Sequence, residues 1–292
     1  MTSDTNKFHG VVIATGAFDL KHEPNIPGLA DFKSRHPEVV SHSKDFKNPA
    51  EFEIKRVLIV GNAASGFDIS RQILPLARNV NVSTRTSQVN LCDRNITRRP
   101  EILQFKSGKK LAIYFHGNSI ERNIHMVIFC TDFKYTVPFL YSRVKSKMDG
   151  QWHTKDIQMY EDGFTIPGLY KHLFYIKDAS LAFVGLTKMG AAFRTAEAQS
   201  AVAARVFARR LKLPSNQDMK EWEDKARADW ECKVRRKLVS SETFHALPDP
   251  HDKEYILELE MLAKSATGAN LLLPPTWTNA MQYARDKRMR LR

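Results

Sequence analysis

The clearest change of hydrophobic pattern along the chain lies between Glu53 and Ser87. Residues 56–60 form a short apolar run rich in β-branched side chains, which is typical of a buried parallel strand. After Gly61, residues 63–77 carry apolar side chains at helical spacing, and residues 80–83 return to a strand pattern. Strand, tight turn, helix and strand in this order predict a βαβ unit.

The turn of this unit has the spacing of a dinucleotide-binding fingerprint, with Ala63 at the position of the middle glycine. Gly61 lets the chain reverse, Gly66 lets the helix pack closely on the strand, and the helix N-terminus presents amide groups to a pyrophosphate. The methyl group of Ala63 is expected to weaken binding without necessarily abolishing it. A turn seated between a strand and a helix favours cofactor binding, and the alternative is an α/β turn that binds nothing. The predicted cofactor-binding residues of the turn are Gly61, Asn62, Ala63, Ala64, Ser65 and Gly66.

The residues at the end of the second strand indicate which nicotinamide cofactor the turn would bind. An acidic residue there would hold the 2′-hydroxyl of NAD, but this chain has Ser83 and Arg85, followed by Thr86 and Ser87. A guanidinium flanked by hydroxyl groups suits a 2′-phosphate. We therefore predict NADPH rather than NADH, bound by Ser83 and Arg85. The alternative is that Arg85 is a solvated surface side chain.

The same patterns predict further elements on both sides of the βαβ unit. Strands are predicted at residues 11–14, 111–115, 125–130 and 180–185, and helices at residues 191–211, 216–239 and 254–266. Residues 21–47 are predicted as a loop-rich passage, and residues 91–110 are polar and basic. Phe193 and Val202 have the spacing of core residues, and Trp222 and Trp230 are interpreted as packing residues.

Composition bounds the class of protein. A chain of 292 residues with 42% hydrophobic residues suits one large or two ordinary globular domains. Cys92, Cys130 and Cys232 are odd in number and lack CxxC spacing, which fits a reducing compartment and neither a zinc site nor a disulfide framework. No apolar run approaches the length of a membrane span, and residues 1–10 lack the apolar core of a signal peptide. We expect a cytoplasmic protein.

The formal net charge of +13 raises the question of a nucleic-acid partner. A nucleic-acid interface needs basic residues on one face with aromatic residues between them, but the basic clusters of this chain lie on different predicted elements. We therefore interpret them as solvated surface and expect no nucleic-acid partner. Attraction to an anionic membrane surface or to anionic cofactors stays open.

Several blocks in a fixed order resemble one family, the flavin-containing monooxygenases, and within it a fungal-type branch with a long helical C-terminus. The blocks are residues 11–16, 26–29, 42–46, 55–69, 127–131, 169–174 and 181–186. The chain departs from the family fingerprint at His36 and Glu38, where Phe and Gly are expected. It also departs after the second linker strand, where Asp132 replaces a glycine that permits an unusual backbone angle.

The resemblance implies an α/β fold in which a Rossmann-like NADPH-binding domain is inserted in a partial FAD-binding domain, with C-terminal helices added. It divides the chain into a partial FAD-domain segment and linker, an NADPH-binding domain, the return of the FAD domain and a helical extension. These parts are residues 1–52, 53–130, 131–213 and 214–292. The resemblance also adds Thr15, Gly16 and Thr131, at the ends of the two linker strands, to the predicted cofactor-binding residues.

The activity implied by the resemblance is oxygenation of a soft nucleophile, an amine nitrogen or a sulfur, with NADPH, FAD and O₂. The cofactors supply the chemistry, so we predict no catalytic side chain and no metal. Members of the family open with a separate FAD-binding turn upstream of the first linker strand, and this chain starts almost at that strand. We therefore expect a truncated monooxygenase, a mispredicted gene product or one half of a split protein, with uncertain activity alone. A homo-oligomer, a non-catalytic NADPH-binding remnant and an interaction protein stay open as alternatives.

Overall fold

The computed structural model describes residues 8–85, 95–108, 111–140, 142–148, 151–157, 163–236, 238–239, 244–248, 250–268, 274 and 276–290. The chain divides into two compact units. The first unit consists of Met1–Leu20 together with Phe133–Arg290, and the second unit consists of Lys21–Asp132. The domain boundaries expected after residues 52, 130 and 213 stay predictions.

The described strands are, in chain order, β1 (Val11–Ile13), β2 (Leu20–Lys21), β3 (Val40–His42), β4 (Arg56–Val60), β5 (Asn79–Ser83), β6 (Ile96–Arg99), β7 (Ile102–Lys106), β8 (Ala112–Phe115), β9 (Ile120–Arg122), β10 (Met126–Phe129), β11 (Phe133–Lys134), β12 (Ser142–Met148), β13 (Gln151–Ile157), β14 (Leu169–Tyr170), β15 (Phe174–Tyr175) and β16 (Leu181–Phe183). The described α-helices are α1 (Leu29–Arg35), α2 (Ala64–Ile73), α3 (Ala192–Phe207), α4 (Asn216–Arg235), α5 (His251–Lys264) and α6 (Asn279–Arg290). Two short 3₁₀ helices occupy Ser43–Asp45 and Pro49–Phe52. No described helix combines the length and the apolar character that crossing a membrane requires.

The second unit is built on a five-stranded parallel sheet in the order β3-β10-β4-β5-β6. Val57 and Ile59 of β4 pack with α2 on one face. Leu58 and Val60 pack on the other face, against α1 and the antiparallel sheet β7-β8-β9. Burial on both faces explains why β4 reads as a continuous apolar run rather than an alternating one. The predicted βαβ unit is confirmed as β4-α2-β5.

The first unit contains the sheet β1-β16-β15-β14, in which β1 and β16 are parallel and the other pairs are antiparallel. Helices α3 and α5 pack on this unit through small and branched side chains such as Ala198, Val202 and Leu259, all fully buried. Helix α4 begins with a capping box, in which the Asp218 amide donates to the Ser215 hydroxyl and the Asp218 carboxylate accepts from the Ser215 amide. Strands β12 and β13 form an antiparallel hairpin.

Several predictions from the hydrophobic pattern are wrong. The loop-rich passage at residues 21–47 contains α1 and β3. Strands β6 and β7 lie within residues 91–110, for which the sequence predicted a polar and basic character but no element. Helix α1 has seven residues and buries only Leu29 and Phe32, which is too few apolar positions to establish a helical period. Helix α2 ends at Ile73 rather than at residue 77, because Pro75 has no amide with which to continue the hydrogen-bond ladder. Phe193, predicted in the core, is 89% exposed in the first turn of α3.

Candidate functional site

The turn between β4 and α2 leaves no room for side chains at its two glycines. Gly61 has φ +99°, and a Cβ atom there would lie 2.7 Å from the carbonyl oxygen of Cys130 at the end of the neighbouring strand β10. A Cβ atom on Gly66 would clash with the carbonyl oxygen of Gly61. Backbone therefore packs directly on backbone at both positions, as the fingerprint predicts for a strand and helix in close contact.

The N-terminus of α2 presents amide groups that the helix itself does not use. The first intrahelical hydrogen bond runs from the Phe67 amide to the Ala63 carbonyl, 2.9 Å, so the amides of Ala64, Ser65 and Gly66 precede the ladder. The N-cap residue Ala63 has no side chain that can cap them. Ala63, Ala64 and Ser65 are exposed. Uncapped amides at the positive end of a helix dipole form an anion-binding arrangement.

Asn62 supplies a second feature that fits a bound ligand. Its Oδ1 atom is buried and accepts no hydrogen bond from the residues that the structure describes. A buried acceptor without a donor is unfavourable unless a ligand or water supplies one. The turn thus combines amide donors for phosphate oxygens with an unfilled acceptor, and these residues fit a dinucleotide.

The end of β5 lies beside the turn, because the Gly61 amide donates to the Ser83 carbonyl at 2.9 Å. The Ser83 side chain is buried, and its hydroxyl donates to the Pro100 carbonyl at 2.7 Å. Its proton is therefore directed into the protein. Arg85, two residues further, is exposed. Thr86 and Ser87 lie outside the described residues.

Cys130 and Thr131, at the end of β10, form the opposite wall of the turn. The Thr131 hydroxyl donates to the His22 carbonyl, and the His22 amide donates to the Asp132 carbonyl at 3.1 Å. Burial raises the pKa of the Cys130 thiol to about 12, so the thiol is uncharged and unreactive at neutral pH. Sequence reasoning did not place Cys130 at the site. The available signal was its position at the end of a predicted buried strand.

His42, which belongs to one of the blocks that resemble the family, is buried at the end of β3. Its Nδ1 atom accepts a hydrogen bond from the Lys44 amide at 3.1 Å, which caps the 3₁₀ helix that follows. Burial lowers the pKa of its imidazole. The neutral ring therefore stabilises the loop.

Thr15 and Gly16 belong to the first unit, where both are exposed after β1. Gly16 has φ +81°, and a Cβ atom there would meet open space. The cavity that Thr15 and Gly16 line has a volume of about 10 Å³, which is room for about one water molecule. These residues by themselves do not enclose a flavin ring.

No group of three or more His, Cys, Asp or Glu side chains within the described ranges could hold a metal ion. What the second unit does provide is a parallel sheet whose carboxyl edge carries a glycine turn and an uncapped helix. This combination defines a Rossmann-like nucleotide-binding α/β unit.

Comparison with known proteins gives the family. The family model described as Flavin-binding monooxygenase-like matches residues 2–94 and 89–263, and the chain belongs to this family. It is 28% identical to the flavin-containing monooxygenase ustF2 of Aspergillus flavus, over 96% of this chain and 59% of the relative. It is 26% identical to the thiol-specific monooxygenase of Saccharomyces cerevisiae, over 88% of this chain and 54% of the relative.

The fold is also similar to a solved structure, that of S-allyl-L-cysteine S-oxygenase from Allium sativum. The TM-score is 0.73 at 22% identity, and the match covers 97% of this chain and 59% of the other. The chain thus spans little more than half the length of each of these relatives.

Proposed function

We propose that the second unit binds NADPH and that the chain functions as a flavin-dependent monooxygenase, which oxygenates soft nucleophiles. The observation that carries this proposal is the β4-α2 turn, where two glycines pack backbone on backbone below an uncapped helix. Membership of the flavin-binding monooxygenase-like family supports the flavin-dependent chemistry.

In this proposal the amides of Ala64, Ser65 and Gly66 bind the pyrophosphate, and the Asn62 Oδ1 atom accepts from a hydroxyl or amide of the cofactor. Arg85 pairs with the 2′-phosphate, and the Ser83 hydroxyl contributes as an acceptor only, because its proton goes to Pro100. When bound, NADPH supplies a hydride and FAD supplies the oxygen-transfer chemistry. The overall reaction consumes NADPH, a proton and O₂, and yields NADP⁺, water and the oxygenated nucleophile.

We propose an amine nitrogen or a sulfur as the atom that is oxygenated. The yeast relative is named a thiol-specific monooxygenase, and this name supports sulfur as the atom that is oxygenated. We also propose a cytoplasmic location, since Cys130 and Cys232 are free thiols and suit a reducing compartment.

The flavin site requires more surface than the residues near Thr15 provide. Strand β1 lies at the edge of its sheet, and Val11 and Val12 are 45% and 47% exposed there. An apolar, unpaired strand edge is a template for a further strand. The relatives contain a part of their length that this chain does not match. We propose that a polypeptide corresponding to that part covers the edge of β1 and completes the FAD site. A second copy of the chain is the competing occupant.

A non-catalytic NADPH-binding protein is the second candidate, because the whole glycine turn lies within the second unit while the cavity at Thr15 and Gly16 is too small for a flavin. Isothermal titration calorimetry with NADPH and NADH tests the binding step common to both candidates. The Arg85→Ala variant should bind NADPH about tenfold more weakly and NADH unchanged, since one charge-assisted contact to the 2′-phosphate is lost. Arg71→Ala serves as the matched control, because it also removes an exposed arginine, but on α2 rather than after β5.

The flavin content and the rate of NADPH oxidation then separate the two candidates. A yellow protein that consumes NADPH with a thiol or a tertiary amine supports a monooxygenase that is complete in this chain. A colourless protein that binds NADPH supports the binding protein, unless an added partner polypeptide restores flavin and turnover. Equal NADPH affinity in wild type and Arg85→Ala would reject the assignment of the 2′-phosphate.

A further inference from the structure

Strand β5 departs from the composition of an ordinary parallel strand. Val80 and Val82 are fully buried against α2, as expected for one face. The other face carries Asn79, Asn81 and Ser83, and Asn81 and Ser83 are also buried. Strands covered on both faces are normally apolar on both. A buried polar face costs free energy unless its groups are satisfied, so this face calls for a physical reason.

The polar side chains form a chain of hydrogen bonds across neighbouring strands. The Asn81 side-chain amide donates to the Asn79 Oδ1 atom at 2.5 Å, and the Arg99 Nε atom of β6 donates to the Asn81 Oδ1 atom at 3.2 Å. The guanidinium of Arg99 also pairs with the carboxylate of Glu121 on β9. The charge of Glu121 is therefore already compensated by Arg99.

These residues form one wall of a cavity of about 340 Å³. Arg56, Arg78 and Thr97 line the same cavity. Arg56 begins β4 and Arg78 directly precedes β5, so both arginines lie at the amino end of the parallel strands. The glycine turn lies at the carboxyl end of β4. Arg56 and Arg78 therefore lie at the end of the sheet opposite the proposed NADPH site, whereas the backbone of Arg99 is level with Ser83 at the carboxyl end.

The charges on the cavity wall do not balance. Neither the Arg56 nor the Arg78 guanidinium pairs with a carboxylate of the described residues, in contrast to Arg99. The wall thus presents two uncompensated positive charges, together with the amides of two asparagines and the hydroxyl of Thr97. Guanidinium groups match the geometry of phosphate and carboxylate oxygens.

We propose that this cavity, the amino-edge cavity, is a second anion site that binds a small, polar phosphate monoester. Two unpaired guanidiniums complement a dianion, and the asparagine and threonine groups suit hydroxyls on the rest of the ligand. The volume lies near the lower end of the range for small-molecule pockets, which favours a small metabolite over a dinucleotide. The cavity lining includes no residue of the glycine turn, and the proposed site does not rest on the proposed monooxygenase function.

The test uses calorimetry of the full chain with inorganic phosphate at pH 8, at a constant ionic strength set with sodium chloride. With NADPH present at a saturating concentration to fill the proposed cofactor site, wild type should bind phosphate saturably at one further site, in the amino-edge cavity. Arg56→Gln and Arg78→Gln should each weaken that binding about tenfold or more, because each removes one charge-assisted contact. Thr97→Val, which keeps the branched shape, should weaken it less.

Two control variants locate the bound phosphate. Arg122→Gln removes an exposed charge from β9, and Arg71→Gln removes an exposed charge from α2. Both residues lie outside the cavity wall, so neither variant should alter phosphate affinity. Thermal unfolding of each variant shows whether its fold is intact, and Arg78→Lys provides a charge-conserving variant. The proposal is overturned if wild type does not bind phosphate saturably, or if Arg56→Gln and Arg78→Gln bind it with the same affinity as wild type. Loss of binding in Arg122→Gln or Arg71→Gln would overturn the location. Succinate binding as tightly as phosphate would overturn the ligand class.

Discussion

Two histidines buried side by side in the first unit predict an acid-sensitive fold. The Nδ1 atoms of His172 and His245 are 2.9 Å apart, and the Ile166 amide donates to the His245 Nε2 atom at 3.0 Å. Because His245 Nε2 is an acceptor, the proton of His245 lies on Nδ1 and is donated to His172 Nδ1. Both rings are therefore neutral. A second proton on either ring would place one donor against another.

The magnitude follows from the environment of each ring. Burial, assisted by the charge of Lys171, lowers the pKa of His172 to about 4. Burial lowers the pKa of His245 well below its usual value, and His172, Lys188 and Arg227 act in the same direction. An unfolded histidine titrates near pH 6.5, so below that pH the unfolded state binds protons that the folded state does not. Stability is complete above about pH 6.5 and is lost as the pH falls toward 4.

For His172 alone, the linkage amounts to about 2.5 kcal/mol between pH 7.5 and pH 4.5. Urea unfolding followed by tryptophan fluorescence measures it selectively, because all four tryptophans of the sequence lie in the first unit. The ring of Trp222 is 5.6 Å from that of His172 and reports on the pair directly. We expect the free energy of unfolding of the first unit to fall by at least about 2.5 kcal/mol over this range.

A variant without the titrating ring separates the pair from other acid effects. His172→Asn keeps an acceptor and a residue type that tolerates the positive φ of 52° at this position. It should be less stable than wild type at pH 7.5 but lose less stability on acidification. His251→Gln, which replaces an exposed histidine of the same unit, should behave like wild type. An unchanged pH dependence in His172→Asn would refute the reasoning.

Three further predictions test the packing within the two units. Gly66→Ala places a methyl group against the Gly61 carbonyl oxygen, so it should lower the free energy of unfolding of the second unit by about 1–3 kcal/mol and abolish NADPH binding. The control Ser65→Ala, at an exposed position, should fold normally. Circular dichroism measures the unfolding, and calorimetry measures the binding. Cys130 should react with a thiol reagent only as the second unit unfolds, which mass spectrometry of the labelled peptide can follow. Glu223→Ala leaves the Gly168 amide without its acceptor and should cost about 1–3 kcal/mol, while Glu223→Gln keeps an acceptor and should cost less, as measured by urea unfolding.

The β4-α2-β5 unit could be predicted from the sequence because a strand pattern of apolar residues changes to a helical pattern within a few residues of a glycine turn. Strand β6 could not, because it lies at the edge of the sheet and only Ile96 is buried, so it shows no apolar alternation. The polar face of β5 was visible in the sequence as Asn and Val in alternation, but its partners come from β6 and β9. Contacts between distant strands depend on tertiary structure that a local pattern does not contain.

The same limit applies to the proposed cofactor site. The fingerprint spacing identified Gly61 and Gly66, because a close backbone approach can be met only by residues without a Cβ atom. It could not assign the direction of the Ser83 hydroxyl, whose acceptor lies 17 residues away at Pro100. Arg85, the other residue predicted to recognise the 2′-phosphate, is exposed, and its role stays a prediction.

The turn between β14 and β15 links the acid sensitivity of the first unit to backbone strain. Lys171 and His172 both have positive φ, 50° and 52°, which costs roughly 1–2 kcal/mol for each residue that is not glycine. The Lys171 carbonyl accepts from the Tyr255 hydroxyl, and the His172 ring packs against Trp222 and His245. Burial of the neutral imidazole thus holds a strained turn in place. Because protonation of His172 opposes that burial, acid should release the ring and the strain together, so amide exchange at Leu173 should accelerate before the unit as a whole unfolds.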